Sequence, residues 1–476
     1  MFTSTTRLLF CMLAGVATVA AGCSSGSVPS GASTQSNAVA NAIRSAVSAM
    51  AAPTPPGLAI AVYYHGNAYY FYQGVRAVGG MPVDRNTIFE LGSLTKSFTG
   101  IMLGAYVNQG TAGVTAYDHP VRWIDFVGDP NQTAPAPVQT TCAQPSATPV
   151  PPADYGTVTA MTLLQLATHT SGIPYTPPPP NGDIVPRQCY SPQQLVNYVE
   201  TGSFPAPPAP WVYSNVAFGI LGYVLQGINA RSTGQQVDWY TLVRQQIIDP
   251  LGMAHTYDLN VPVSEQGEYA QGYTWDNLGN VHTTLHWTWD PYPSAGVLRS
   301  TAPDMMKYLK LALGLQGPAA MIAGVQTAEK IWAHTDTNQG QGFAWEYEPL
   351  YPPSSLSPFP PDVIWKDGAT AGCSSWIGMI APSAGGASHR NRGIDQCDSG
   401  CRRRARPNDI ADALSPPLAV RRSDVCVIAS ATTQRGSWLL DSGIDLATFA
   451  DLMGHSKPTT TLNYYAHSQP GRGRKA

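Results

Sequence analysis

The chain predicts an α+β protein in which helices lie against an antiparallel sheet and a second lobe is all helical. Three stretches carry that expectation. Residues 57–64 form an apolar, β-rich run that turns at His65-Gly66-Asn67 into a second run ending at Tyr72, which is the pattern of a β-hairpin. Residues 366–371 and 374–382 read as two further strands returning on each other. Between these regions a helix at Ser93 opens a mainly helical region, so a cleft is expected between sheet and helical lobe.

Residues 37–50 have apolar side chains at helical spacing and predict an N-terminal helix packed on the hairpin. Proline-rich stretches at 129–152 and 176–186 predict surface loops. With 476 residues, 43% of them hydrophobic and 9% aromatic, the chain is globular and long enough for one large core or two domains. Only 12% are charged, while 45 glycines and 42 prolines imply much uncharged loop surface. A net charge of −3 points to no particular partner.

Residues 1–22 read as an export signal: Arg7 is the only charge, and Leu8 to Ala20 is apolar but too short to span a membrane. Ala20-Ala21-Gly22 before Cys23 resembles a bacterial lipobox, although Ala20 stands where leucine is usual. Processing there predicts a lipidated Cys23, a tether over 23–36, and a periplasmic or membrane-anchored lipoprotein. Ordinary secretion with a free Cys23 thiol is the alternative. Six of the eight cysteines would then lie in an oxidising compartment, where Cys142 and Cys189 bracket a proline-rich insertion and could close it. No spacing matches a zinc site, since Cys397 and Cys401 lack histidine partners, and no metal or cofactor is expected.

The chemistry starts at Ser93-Leu94-Thr95-Lys96. A serine hydroxyl is a poor nucleophile until a neighbour takes its proton, and a lysine one helical turn later lies on the same face. Further motifs follow in order: Tyr213-Ser214-Asn215, and Lys366-Asp367-Gly368-Ala369. Residues 163–172, 250–253 and 295–306 carry connecting text of the same kind.

Together these residues resemble the serine β-lactamase and penicillin-binding family over residues 37–381, and the Tyr-x-Asn second motif resembles its class C members. The resemblance implies a β-lactamase/transpeptidase-like fold and an acyl-enzyme at Ser93. It implies that Lys96 or Tyr213 is the proton acceptor, with Lys366 favouring the Tyr213 phenolate, and that Asn215 holds Lys96 and the substrate amide. By the same resemblance the Ser93 and Ala369 amides receive the oxyanion, and Gly368 leaves room for substrate. Substrates so implied are β-lactams, D-alanyl peptides of peptidoglycan, or esters. Asp367 departs from the usual threonine and would repel a substrate carboxylate, which favours peptidase or esterase activity over β-lactamase activity.

The resemblance stops near residue 382. From there to the end the chain has 13 Lys+Arg against 8 Asp+Glu, including Arg402-Arg403-Arg404 and Arg421-Arg422, and 382–436 is expected to be an irregular basic segment. Residues 437–476 resemble the C-terminal end of tyrosine recombinases (phage integrases), with His455 and Tyr465 at the positions of a phosphate-steadying histidine and the nucleophile. The upstream arginine motif is missing, so this remnant is expected to be non-functional. A rearrangement or frameshift near 382 accounts for the change and would remove a strand from inside the sheet. Val425 to Ala429 is apolar and β-branched enough to take its place.

Three functions compete: an exported serine hydrolase, an inactive or covalently trapped penicillin-binding protein, and DNA binding or recombination through the basic tail. Export argues against the last.

Overall fold

The computed structural model describes residues 40–41, 56–64, 66–120, 161–174, 204–275, 281–287, 292–335, 339–349, 362–380 and 426–431. The expected export signal, tether, proline-rich loops, Cys142–Cys189 pair and recombinase-like remnant lie outside these residues, as does nearly all of the expected helix over 37–50.

The predicted hairpin forms. β1 (Gly57–Tyr64) and β2 (Asn67–Gly74) pair antiparallel from Gly57 opposite Gly74 to Tyr64 opposite Asn67. Gly66 closes the turn at φ 80°, a left-handed conformation that glycine adopts without steric cost. β1 is buried along nearly its whole length and β2 alternates toward solvent, so β1 is interior and β2 an edge.

Short strands β3 (Phe89–Glu90) and β6 (Arg299–Ser300) pair beside the main sheet, and β4 (Tyr273–Trp275) pairs with β5 (Val281–Thr283). The main sheet continues with β7 (Ala333–His334), β8 (Gly340–Gln341), β9 (Glu346–Pro349), β10 (Asp362–Ala369), β11 (Ser374–Ile380) and β12 (Cys426–Ala431). Its order is β2-β1-β12-β11-β10-β9-β8-β7. The two strands expected at the third motif are β10 and β11, paired antiparallel with Lys366 opposite Ile377.

β12 corrects the domain reading. Residues 382–436 were expected to be an irregular segment beyond a unit ending at 381, with Val425 to Ala429 able to fill the place of a lost strand, and Cys426–Ala431 occupies the slot between β1 and β11. Ile428 stands opposite Ala61 on one side and Ile377 on the other. Each neighbour carries a row of backbone donors and acceptors facing the slot, and a β-branched segment satisfies both.

Helices fill the rest. α1 (Thr95–Gln109) is buried on every side from Thr95 to Tyr106, as a helix through the middle of a core must be. α2 (Leu163–Ala167) starts with a capping box between Thr162 and Gln165. α3 (Asn215–Thr233) starts at Ser214, whose hydroxyl accepts from the Ala217 N–H at 3.0 Å. α4 (Trp239–Val243) extends this lobe, and α5 (Ala302–Ala312) lies across β1 and β12. α6 (Ala319–Ala328) packs on α1 at a glycine contact: a Cβ on Gly104 would stand 2.4 Å from the Gly324 carbonyl oxygen. Among the described residues no helix is long and apolar enough to cross a membrane.

Candidate active site

Ser93 sits in a single 3-10 turn, Gly92–Leu94, that runs directly into α1. It is the half-buried residue in an otherwise buried stretch from Leu91 to Tyr106, so its hydroxyl is presented while its neighbours anchor the turn. The start of α1 adds the positive end of a helix dipole at this point.

Strand β10 closes over that turn. A Cβ on Gly368 would lie 1.9 Å from the Leu91 carbonyl oxygen, and one on Gly92 would lie 2.7 Å from the Ala369 nitrogen. Only glycine permits backbones this close. Ser375 on β11 ties the same turn by donating to the Leu91 carbonyl at 2.6 Å. The Ser93 turn and Ala369, far apart in sequence, are thereby held edge to edge.

Lys96 is fully buried one turn after Ser93. Its Nζ lies 2.6 Å from Asn215 Oδ1, 2.7 Å from the Ala295 carbonyl oxygen and 3.1 Å from Ser93 Oγ. Burial, reinforced by the charge on Lys366, holds its ammonium well below the ordinary lysine value. Lys366, equally buried, donates to Glu346 Oε1 and Asp367 Oδ1, both at 3.0 Å. Burial works against its charge, but Tyr213, Glu346 and Asp367 outweigh that penalty and hold it well above the ordinary value. Two lysines of one site are thus driven in opposite directions by what surrounds them.

The Tyr213 ring stands between them, its centroid 4.9 Å from Lys96 Nζ and 5.1 Å from Lys366 Nζ. His169 packs against that ring at 4.4 Å and against Phe218 at 5.1 Å. Its Nδ1 accepts the Ser214 N–H at 3.1 Å, which fixes the tautomer with the proton on Nε2. Burial first, then Lys96 and Lys366, push its pKa well below the ordinary histidine value. It sits at a backbone φ of 61° and seats the Tyr213 ring.

Behind β3, buried Glu90 accepts from Tyr269 Oη at 2.9 Å and the Trp287 N–H at 3.0 Å, with His286 Nδ1 at 3.1 Å and Arg299 at 3.5 Å. Burial opposes its ionisation, but the His286 hydrogen bond and the Arg299 charge prevail and hold its pKa below the ordinary value. This network anchors the strand that leads into Ser93. Tyr269 therefore belongs to the support of the site, and Tyr273 is buried with its hydroxyl accepting from the Val78 N–H.

The structure brings together Ser93, Lys96, Tyr213, Asn215, Lys366, Gly368 and Ala369. Cys23, His455 and Tyr465 lie outside the described residues. Sequence reasoning missed Glu346 and the Ala295 carbonyl as partners of the two lysines, and an isolated acid or a backbone oxygen carries no motif. Among the described residues no group of histidine, cysteine and acidic side chains could hold a metal ion.

A helical lobe, an antiparallel sheet and a serine–lysine pair lying between them define the serine β-lactamase/transpeptidase-like class. The β-lactamase family profile matches residues 43–383, and the chain belongs to that family. A β-lactamase of Escherichia coli (strain K12) is 25% identical over 359 residues, covering 68% of this chain and 81% of the relative. One from Yersinia enterocolitica is 26% identical, covering 65% and 70%. A class C β-lactamase structure from Rhodobacter sphaeroides superposes with a TM-score of 0.54 at 19% identity, covering 83% of this chain and 94% of the other. The D-alanine carboxypeptidase AmpC of Burkholderia cenocepacia gives 0.53 at 20%, covering 84% and 93%.

Proposed function

We propose that the chain is a serine hydrolase that forms an acyl-enzyme at Ser93 and acts on β-lactams, D-alanyl peptides or esters. The observation that carries this reading is the set of three contacts at Lys96. Nζ is within hydrogen-bond reach of Ser93 Oγ, Asn215 Oδ1 and the Ala295 oxygen, and burial favours its neutral form, which can take the Ser93 proton. Lys96 is then the first base. Ser93 Oγ attacks the substrate carbonyl carbon, its proton passes to Lys96 Nζ, and the new oxyanion lies against the Ser93 and Ala369 amides. The bond to the leaving group breaks as that group takes a proton from Tyr213, which recovers it from Lys96. Water then attacks the ester carbon, releasing the acid and restoring Ser93.

Intact-mass measurement tests this with a penicillin and with an activated neutral ester. A transient acyl adduct, absent in Ser93→Ala, is the expected result. An adduct that never decays leaves a trapped binding protein, and no adduct with either reagent overturns the assignment.

Export with lipidation at Cys23 completes the reading. It rests on the apolar run and small residues that precede that cysteine. Metabolic labelling with radioactive palmitate is expected to mark the chain and not Cys23→Ala; equal labelling of both would remove Cys23 as the anchor.

A further inference from the structure

His169 holds Tyr213 at three points. Residues 209–214, which carry Tyr213, run without regular structure into α3, and hydrogen bonds tie them to the turn that follows α2. The Ala209 N–H donates to the Thr170 carbonyl and the Val212 N–H to the His169 carbonyl, both at 2.9 Å. The Ser214 N–H donates to His169 Nδ1 at 3.1 Å, and Ser214 Oγ donates to the Pro174 carbonyl at 2.9 Å. His169 thus engages the residue before Tyr213 and the residue after it, while its ring lies 4.4 Å from the Tyr213 ring.

Few side chains could make this grip. At a φ of 61° the backbone is left-handed, a conformation that histidine tolerates better than most residues, and there the His169 carbonyl and Nδ1 both serve the same segment. Phenylalanine would supply a ring without an acceptor, and asparagine an acceptor without a ring. The imidazole is buried, with Phe218 at 5.1 Å and Trp211 edge-on at 5.8 Å, so close packing leaves it little room to shift. Its placement is therefore passed on to Tyr213. In the acyl-enzyme reading that placement matters most when the leaving group departs, because a proton passes only across a hydrogen-bond distance of about 2.6–3.2 Å.

We infer that His169 is the positioning residue for proton delivery by Tyr213, so that its loss slows the departure of leaving groups that need a proton and spares those that leave as stable anions. This rests on the acyl-enzyme reading and deepens it. In the step concerned the acyl–oxygen bond breaks, the leaving alkoxide oxygen takes the Tyr213 Oη proton, and Tyr213 recovers a proton from the Lys96 ammonium. A nitrophenolate departs with its bonding pair spread over the ring and needs no proton at that moment.

Two esters test the inference with the acyl group held constant: p-nitrophenyl butyrate, whose leaving group departs as the anion, and p-nitrobenzyl butyrate, whose alkoxide must be protonated. The ratio of their kcat/KM values, taken on one sample, does not depend on the fraction of protein that is folded. His169→Phe is expected to lower kcat/KM for the benzyl ester by about tenfold or more beyond any change with the nitrophenyl ester. His169→Asn should shift the ratio in the same direction. In Tyr213→Phe, with no proton to deliver, the ratio is already shifted, and adding His169→Phe should leave it there. Equal losses with the two esters, no loss, or loss of all activity in both His169 variants would make His169 a residue of the fold alone and overturn the inference. A ratio unmoved by Tyr213→Phe, or an unmodified protein that leaves the benzyl ester uncleaved, removes proton delivery by Tyr213 and the inference with it, while an adduct with the nitrophenyl ester or a penicillin keeps the acyl-enzyme. Failure of both esters and of a penicillin to acylate Ser93 overturns the acyl-enzyme reading itself.

Discussion

Gly368 lies so close to Leu91 that a Cβ placed on it would stand 1.9 Å from the Leu91 carbonyl oxygen. This contact sets the distance between the end of β10 and the turn that presents Ser93. Gly368→Ala must push the two apart, and displacement of catalytic groups by about 1 Å costs on the order of 100-fold in rate. Acylation of Ser93 is expected to slow by that order while far-UV circular dichroism is retained; an unchanged rate would show that this packing does not position the reacting groups.

Lys96 predicts the pH dependence of acylation. Its folded pKa is held well below the ordinary value, so the neutral base becomes available, and the rate rises, at a pH well below the free lysine range. The Lys366 cation contributes to that depression, so Lys366→Gln should raise the Lys96 pKa and move the acidic limb of the profile to higher pH. A limb that stays in place, measured by stopped-flow acylation with a neutral ester, would separate the two lysines.

His169 links the site to stability. Its folded pKa is depressed, so the unfolded chain binds a proton before the folded one does as pH falls below about 6.5. The sign is that its contribution is complete above that pH and is lost progressively below it. Urea midpoints should fall as pH is lowered from about 7 to about 5, and the slope should be shallower in His169→Asn. His169→Phe leaves the Ser214 N–H without its acceptor, at about 1–3 kcal/mol.

β12 predicts that the fold depends on residues far beyond the family-like region. Ile428 lies at the middle of a strand paired on both sides, where proline removes a ladder hydrogen bond and fits poorly. Ile428→Pro is expected to lower the thermal midpoint. A chain ending at 421 should fail to give a cooperative thermal transition, and one ending at 436 should keep it. A chain ending at 421 that melts as sharply as the full one would show that Cys426–Ala431 is dispensable.

The hairpin and the strands of the third motif were legible in local strand pattern, and the helix behind Ser93 in the one-turn spacing of Ser93 and Lys96. The order Ser93, Lys96, Tyr213, Asn215, Lys366 was legible as well, since these motifs are short and contiguous. Glu346 was not, because an acid on a separate strand acquires meaning only when β9 pairs with β10 and brings it to Lys366. The interior place of Cys426–Ala431 was legible in part, from the apolar, β-branched run at 425–429, but composition does not name the strands it pairs with.

The motifs and their resemblance to a known family therefore pointed to an α+β frame and to the candidate site residues. That the two lysines are driven in opposite directions emerged only from the assembled fold. Ser93 and Lys96 are one turn apart in the chain, but the state of Lys96 depends on Asn215, Ala295 and Lys366, which reach it from three other segments and exclude water. Proton affinity is a property of those surroundings, and a linear order of residues does not contain it.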